Sequence, residues 1–316
     1  MEWRDVLDGR VLPVLMGIVN VTPDSFSDGG LFLAPDAAVD HGLRLAEEGA
    51  AILDVGGEST RPPVYGAARE VSGDEEIRRV VPVVEALRRG TAVPVSVDTR
   101  KARVARAALS AGASILNDVT ALRHDPESAA VAADAGAAVV LMHMRGTDPR
   151  TMQNDLFYSA PIEEIAVHLS DAAARARAAG IPDERIALDP GLGFGKSAAH
   201  NLLLVARLAR FSEPGFPVVV GASRKGFTAR YSGVPREAPP RLRLAGSLAC
   251  AAAAAERGAS VLRVHDVGAT ARFLAALRAG SPGSDAAAEA GASREAYAAM
   301  EAAIAASAAE DRDDAG

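Results

Sequence analysis

Cysteine and tryptophan occur once each in these 316 residues, aromatic side chains make up only 4% of them, and the 34 basic residues include just three lysines, Lys101, Lys196 and Lys225. One cysteine cannot close an internal disulfide, and Cys250, inside the small-residue run Ser247 to Ala255, reads as a buried hydrophobe in a reducing compartment. Excess positive charge is missing too: 41 acidic residues give a net charge of −7, so nothing electrostatic points to a nucleic-acid partner. Long apolar runs are absent. The stretch Val11 to Val21 is broken by Pro13 and Asn20, and Met1 to Arg10 offers no basic region ahead of a cleavable signal, so a soluble cytoplasmic protein with no membrane partner is expected. What remains is an ordinary globular balance, 49% hydrophobic and 24% charged, in a chain long enough for two average domains or one large α/β domain of roughly 250 residues.

Eight short apolar runs alternate with stretches of helical period. The runs are Leu12 to Asn20, Ala51 to Gly56, Val93 to Asp98, Ser114 to Asp118, Ala138 to His143, Arg185 to Asp189, Pro217 to Gly221 and Ser260 to Val264. Amphipathic segments such as Ala37 to Glu48, Glu75 to Arg89, Lys101 to Ala111, Ile162 to Ala179 and Ala269 to Ala279 lie between them. This pattern predicts a (β/α)8 TIM barrel in a single domain over residues 1–280. A doubly wound open sheet competes, but it places a Gly-rich turn after the first strand, and Val19 to Ser27 contains no glycine. Nearly every run also ends in a polar residue: Asn20, Asp54, Asp98, Asn117, His143, Asp189, Ser223 to Lys225, and Arg263 with His265. In a barrel those ends converge on the face that carries the active site. From 281 to 316 the chain becomes Ala-, Glu- and Asp-rich and is expected to form an added helix or a mobile tail without chemistry.

The segment Met16 to Gly30 places Asp24, Ser25, Ser27 and Asp28 around Phe26 in a connection too long for a minimal βα turn. Such a loop on the active face is a candidate lid, although its composition equally suits a capped surface turn. Arg263 and His265 flank Val264, so strand alternation sends both side chains to one side, where two donors suit a diphosphate. A salt bridge from Arg263 to Asp266 is the structural alternative. Taken alone, Asp189 before Pro190 and Asn117 beside Asp118 read equally well as turn caps, and Lys101 as part of the first turn of a helix. Neither Cys250 nor a G-x-S-x-G turn offers a covalent nucleophile.

The segment Met16 to Gly30, with DVGGESTRP at Asp54 to Pro62, SVDT at Ser96 to Thr99, NDV at Asn117 to Val119, LMHM at Leu141 to Met144, LDPGLGFGK at Leu188 to Lys196, SRK at Ser223 to Lys225 and RVHD at Arg263 to Asp266, resembles the dihydropteroate synthase family in content and order. The resemblance covers roughly Val11 to Leu277. It implies a (β/α)8 barrel that joins 4-aminobenzoate to (7,8-dihydropterin-6-yl)methyl diphosphate, releasing diphosphate with Mg²⁺ as cofactor, as a homodimer open to sulfonamide analogues. By the same resemblance Asp98, Asn117, Met142, Asp189, Phe194, Gly221 and Lys225 hold the pterin. Asn20, Thr60, Arg61, Arg263 and His265 take the diphosphate, with Asn20 also on the metal. Phe26, Pro62, Lys225 and Gly226 meet 4-aminobenzoate, and Asp28, Asp98 and Lys225 carry the chemistry. A pterin edge of ring N–H and exocyclic amine beside a carbonyl does call for a carboxylate and an amide.

The chain departs from the family pattern at Leu192, where a phenylalanine is common, at Gly226, where several relatives carry serine, and in the run Pro63 to Val71, longer than the usual second loop. Two other readings stay open at this stage. A folate-dependent methyltransferase would share the pterin pocket without needing Arg263 and His265, and a pterin-binding paralogue would have lost turnover through the altered second loop.

Overall fold

Strands that are near-continuous runs of Val, Ile, Leu and Ala suit a parallel sheet whose faces are both covered. The computed structural model, which describes residues 2–10, 13–21, 35–59, 70–235 and 238–279, has that arrangement. Its strands are β1 (Val14–Asn20), β2 (Ile52–Gly56), β3 (Val95–Asp98), β4 (Ile115–Asp118), β5 (Ala138–Met142), β6 (Ile186–Asp189), β7 (Val219–Val220) and β8 (Val261–Val264). The helices are α1 (Arg4–Leu7), α2 (Pro35–Glu47), α3 (Gly73–Gly90), α4 (Ala102–Ser110), α5 (Ser128–Asp134), α6 (Pro161–Ala178), α7 (Ala198–Ala206), α8 (Ala209–Ser212), α9 (Gly226–Tyr231), α10 (Leu244–Glu256) and α11 (Val267–Ala279). All pairings are parallel, in the order β6-β5-β4-β3-β2-β1-β8-β7, and a bridge from Leu188 to Val218 joins the two ends. Sequential order around a ring is the (β/α)8 barrel, not a doubly wound sheet.

The chain divides into two compact units, Met1–Thr270 and Ala271–Gly316, with the boundary inside α11. The first carries every strand; in the second, the described residues 271–279 are the end of that helix. No helix among the described residues is long and apolar enough to cross a membrane.

The floor of the barrel is closed by residues ahead of β1. Trp3 and Val6, each 2% exposed, pack with Val14, Ile52, Ile115, Ala138, Val219 and Val261. Burial of such side chains stabilises by roughly 1.5–3 kcal/mol each. Helix starts follow local chemistry: Ser72 Oγ accepts from Glu75 N–H ahead of α3, and Ser197 Oγ from His200 N–H ahead of α7.

One strand is shorter than expected. The run Pro217 to Gly221 yields only the two residues of β7, because Pro217 has no N–H to donate and Gly221 already leads into the turn toward Lys225. Pro217 contributes its carbonyl, which accepts from Leu188 N–H, and a single bridge is what fastens β7 to β6. This corner of the rim therefore depends on side chains more than the others do.

Candidate active site

Register brings the polar strand ends together. Asn20 pairs with Gly56, Gly56 with Asp98, Asp98 with Asn117, and Met142 with Asp189, so these residues follow one another along the C-terminal rim. At its centre stands Asp54, fully buried inside β2. Its Oδ2 accepts from Asn117 Nδ2 at 3.1 Å and from Arg263 Nε at 2.6 Å, while its Oδ1 is buried with no hydrogen-bond partner. Arg263 also donates from Nη2 to Asp98 Oδ2 at 2.7 Å.

Burial pushes the Asp98 carboxyl up to about 7; Arg263 pulls the other way, and the charge of Asp54 adds to the rise. Burial works against the charge of Arg263 too, but Asp54 and Asp98 hold its guanidinium firmly protonated. Asn117 spends its amide N–H on Asp54, which leaves its carbonyl oxygen as an acceptor for a ligand.

The second half of the rim is the turn after β6. Asp189 Oδ1 accepts from Gly191 N–H at 2.6 Å, leaving the other oxygen for a ligand, and burial raises its pKa against the pull of Lys225. The turn is threaded tightly. Gly191 has φ +69°, and a Cβ there would collide with the His143 carbonyl oxygen; Gly195 has φ +67°, and a Cβ there would strike Arg145. Lys196, fully enclosed, ties the turn from inside, with its Nζ 2.8 Å from His143 Nδ1, 2.9 Å from Gly191 O and 3.0 Å from Phe194 O. Burial drives Lys196 well below its ordinary pKa, and burial together with Lys196 keeps His143 neutral.

Lys225 donates to the Leu192 carbonyl and lies 4.6 Å from the centre of the Phe194 ring. Burial brings it down to about 8, with Asp189 raising it and Arg263 lowering it. Val119, Met142, Met144 and Met152, with Phe194 packed against them, form an apolar cluster beside these polar groups. At Gly221 a Cβ would stand 3.8 Å from both Arg263 Cβ and Lys225 Nζ. A flat heterocycle with a donor edge suits a wall of this kind.

Asp98, Asn117, Met142, Asp189, Phe194, Gly221, Lys225 and Arg263 thus all stand at this rim. Gly226 begins the six-residue α9, and His265 contacts Ser223, whose Oγ lies 3.1 Å from Nδ1 and accepts from the His265 N–H at 3.2 Å. Phe26, Asp28, Thr60, Arg61 and Pro62 lie outside the described residues.

Three readings of single residues change. Arg263 does not pair with Asp266; it turns to Asp54 and Asp98, and Asp266 pairs with Arg224 instead. Asp118, not Asn117, is the turn cap, accepting from Thr120 and Leu122 N–H while Ala121 and Leu122 adopt φ +53° and +61°. Lys101 is more than a helix start: its Nζ lies 2.9 Å from Glu58 Oε2 and 2.5 Å from Glu76 Oε2, a largely buried cluster at the ends of β2 and β3.

Asp54, a strand end in the sequence with no role of its own, is the hub of this network. The signal was there, since a carboxylate in the middle of ILDVG can be buried only with partners. Among the described residues there is no group of three or more His, Cys, Asp or Glu that could hold a metal ion, and Asn20 closes β1 at the rim.

The family described as pterin binding enzyme matches residues 16–265. The dihydropteroate synthase of Escherichia coli (strain K12) is 46% identical over 267 residues, 84% of this chain and 91% of that protein. The structure of Xanthomonas albilineans dihydropteroate synthase with 4-aminobenzoic acid is similar at TM-score 0.77 and 48% identity, covering 85% of this chain and 94% of that one. A structure of the same enzyme in complex with 7,8-dihydropteroate is similar at TM-score 0.75 and 46% identity, covering 87% and 98%.

Proposed function

This chain belongs to the dihydropteroate synthase family, and from that premise we propose how its own residues perform the family reaction. It condenses 4-aminobenzoate with (7,8-dihydropterin-6-yl)methyl diphosphate to give 7,8-dihydropteroate and diphosphate in folate biosynthesis. The observation that carries the assignment of roles is the meeting of Asp54, Asp98, Asn117 and Arg263 in one largely buried network beside Asp189 and Lys225.

Asp189 and the Asn117 carbonyl accept the N–H groups of the pterin edge, and Asp98 a further ring N–H. Lys225 serves the pterin carbonyl side, and Met142, Phe194 and Gly221 give the ring a surface to lie on. The bond from the methylene carbon to diphosphate oxygen breaks with its electron pair leaving on diphosphate, and the aromatic amine nitrogen forms the new bond and loses a proton. Positive charge developing on the pterin methylene is stabilised by carboxylates, Asp98 at the rim and Asp28 of the first loop.

Arg263 and His265, with Thr60 and Arg61, receive the diphosphate; for Arg263 this means exchanging part of its hold on Asp98. Asn20 would supply an amide oxygen to Mg²⁺, which when bound neutralises charge on the leaving group. Phe26, Pro62, Lys225 and the N-terminal N–H groups around Gly226 accommodate 4-aminobenzoate. A cytoplasmic homodimer completes the reading. It rests on family resemblance, since the small-residue face of α10, including Gly246, Cys250 and Ala254, is buried, with Gly246 close to the Thr228 backbone.

Purified protein given the pterin diphosphate, 4-aminobenzoate and Mg²⁺ should release diphosphate and form dihydropteroate. Binding of the pterin without release of diphosphate would assign the chain to a pterin-binding paralogue.

A further inference from the structure

Lys225 stands at the end of the least laddered strand of the barrel, yet the turn that carries it is held from several sides. Arg224, the residue before it, adopts φ +58°, a left-handed conformation that costs any side chain with a Cβ. Surrounding bonds fix it there. Its N–H donates to Ser247 Oγ at 2.8 Å, and its carbonyl accepts from Arg243 Nη1 at 3.0 Å. Its guanidinium grips Asp266 with two bonds, Nε to Oδ2 at 2.9 Å and Nη2 to Oδ1 at 2.5 Å. Asp266 directly follows His265, whose backbone N–H donates to the neighbouring Ser223. The pair therefore staples the Ser223–Lys225 turn to the Arg263–Asp266 turn across a corner where β7 has only two residues to offer.

We propose that Arg224 and Asp266 are positioning residues that set Lys225 and His265 at a fixed separation, the separation a diphosphate ester needs when its ring lies against one turn and its phosphates against the other. The pterin edge itself depends on Asn117 in β4, laddered to β3 and β5, and on Asp189 in β6, laddered along its length to β5. Loss of the staple is therefore felt far more by the diphosphate than by the ring, which keeps Asn117 and Asp189 and loses only the fixed placement of Lys225. This inference rests on the synthase reading for the identity of the ester.

The test uses Arg224→Met, which keeps the aliphatic stem, the isosteric Asp266→Asn, and the double variant, each shown to be folded by its melting transition. Affinity for the pterin diphosphate should fall about tenfold in either single variant, while affinity for hydroxymethylpterin, read by its fluorescence, stays within about twofold. The double variant should lose no more than the single ones, since the pair acts as one device. Steady-state kcat/KM should fall in parallel. Folded variants that bind the ester like the parent, equal losses for ester and alcohol, or additive losses in the double variant would each overturn the proposal. If the parent protein binds the ester but releases no diphosphate, the synthase reading fails alone, because the binding comparison still decides the role of the pair.

Discussion

Arg263 and Asp98 are 165 positions apart in sequence, yet Nη2 of the arginine donates to Oδ2 of the aspartate at 2.7 Å across the mouth of the barrel. With Asp54 on the other side of the guanidinium, one cation is shared by a fully buried carboxylate and a partly exposed one. A ligand anion that reaches Arg263 must compete with Asp98, and success leaves Asp98 with less of its charge compensated, beside a pterin that is becoming positive. Diphosphate binding and cation stabilisation are in this way coupled through one side chain.

Replacing Arg263 by alanine should weaken binding of the pterin diphosphate by about 1.5–3 kcal/mol, the range for a charge-assisted hydrogen bond, and cost free hydroxymethylpterin far less. Fluorescence titration of the two ligands makes the comparison. Equal losses would move the phosphate site away from Arg263.

The pH dependence of kcat/KM should be bell-shaped. Activity rises as Asp98 loses its proton through about 7, because only the carboxylate stabilises a cation, and falls as Lys225 loses its proton through about 8. In Lys225→Arg the descending limb should vanish, since a guanidinium keeps its proton in this range. A profile flat across both regions would remove these two groups from the rate-limiting chemistry.

Binding and turnover should separate between Asp189 and Asp28. Asp189→Asn keeps the oxygen that Gly191 needs but cannot accept at both positions, so pterin affinity should drop by about tenfold or more. Asp28→Asn should lower turnover and leave pterin affinity nearly unchanged. An Asp28→Asn enzyme with the parent rate would end the cation-stabilising role of that carboxylate.

Lys196→Met should destabilise the fold by about 2 kcal/mol, because the carbonyls of His143 and Phe194 would lose the ammonium that donates to them and Gly191 O would keep only the Phe194 N–H. Urea unfolding gives the figure from the shift in midpoint at constant slope. An unmoved midpoint would show that water or a local shift replaces the ammonium.

Light scattering at micromolar concentration should give the mass of a dimer. A monomer mass would refute the assembly that family resemblance implies.

The barrel was legible because its signals are periodic and local: eight apolar runs, each closing on a polar residue, with helices between. Which polar residues face one another was not, since it depends on register. Asp54 and Asn117 touch because β3 lies between their strands, a relation no linear spacing states. The pairing of Asp266 shows the same limit. Arg263 is its neighbour in sequence, but alternation along β8 carries the Arg263 side chain into the barrel and leaves Asp266 to Arg224, 42 positions earlier. The brevity of β7 was readable from Pro217, and the cluster of Arg100 and Lys101 with Glu58 and Glu76 was not, because its members come from three separate segments.

Trp3 gives the closed floor of the barrel an optical use. It is the chain's one indole, sealed among Val14, Ile115 and Val261 at the end opposite Asp98 and Lys225, with its backbone N–H donated to the Glu184 carbonyl. Its emission colour reports whether that floor is dry. A pterin seated at the mouth is itself a chromophore that absorbs where indole emits, so occupancy dims the tryptophan without shifting its wavelength, while loss of the floor shifts the wavelength to the red. One native spectrum thus distinguishes a filled barrel from an opened one.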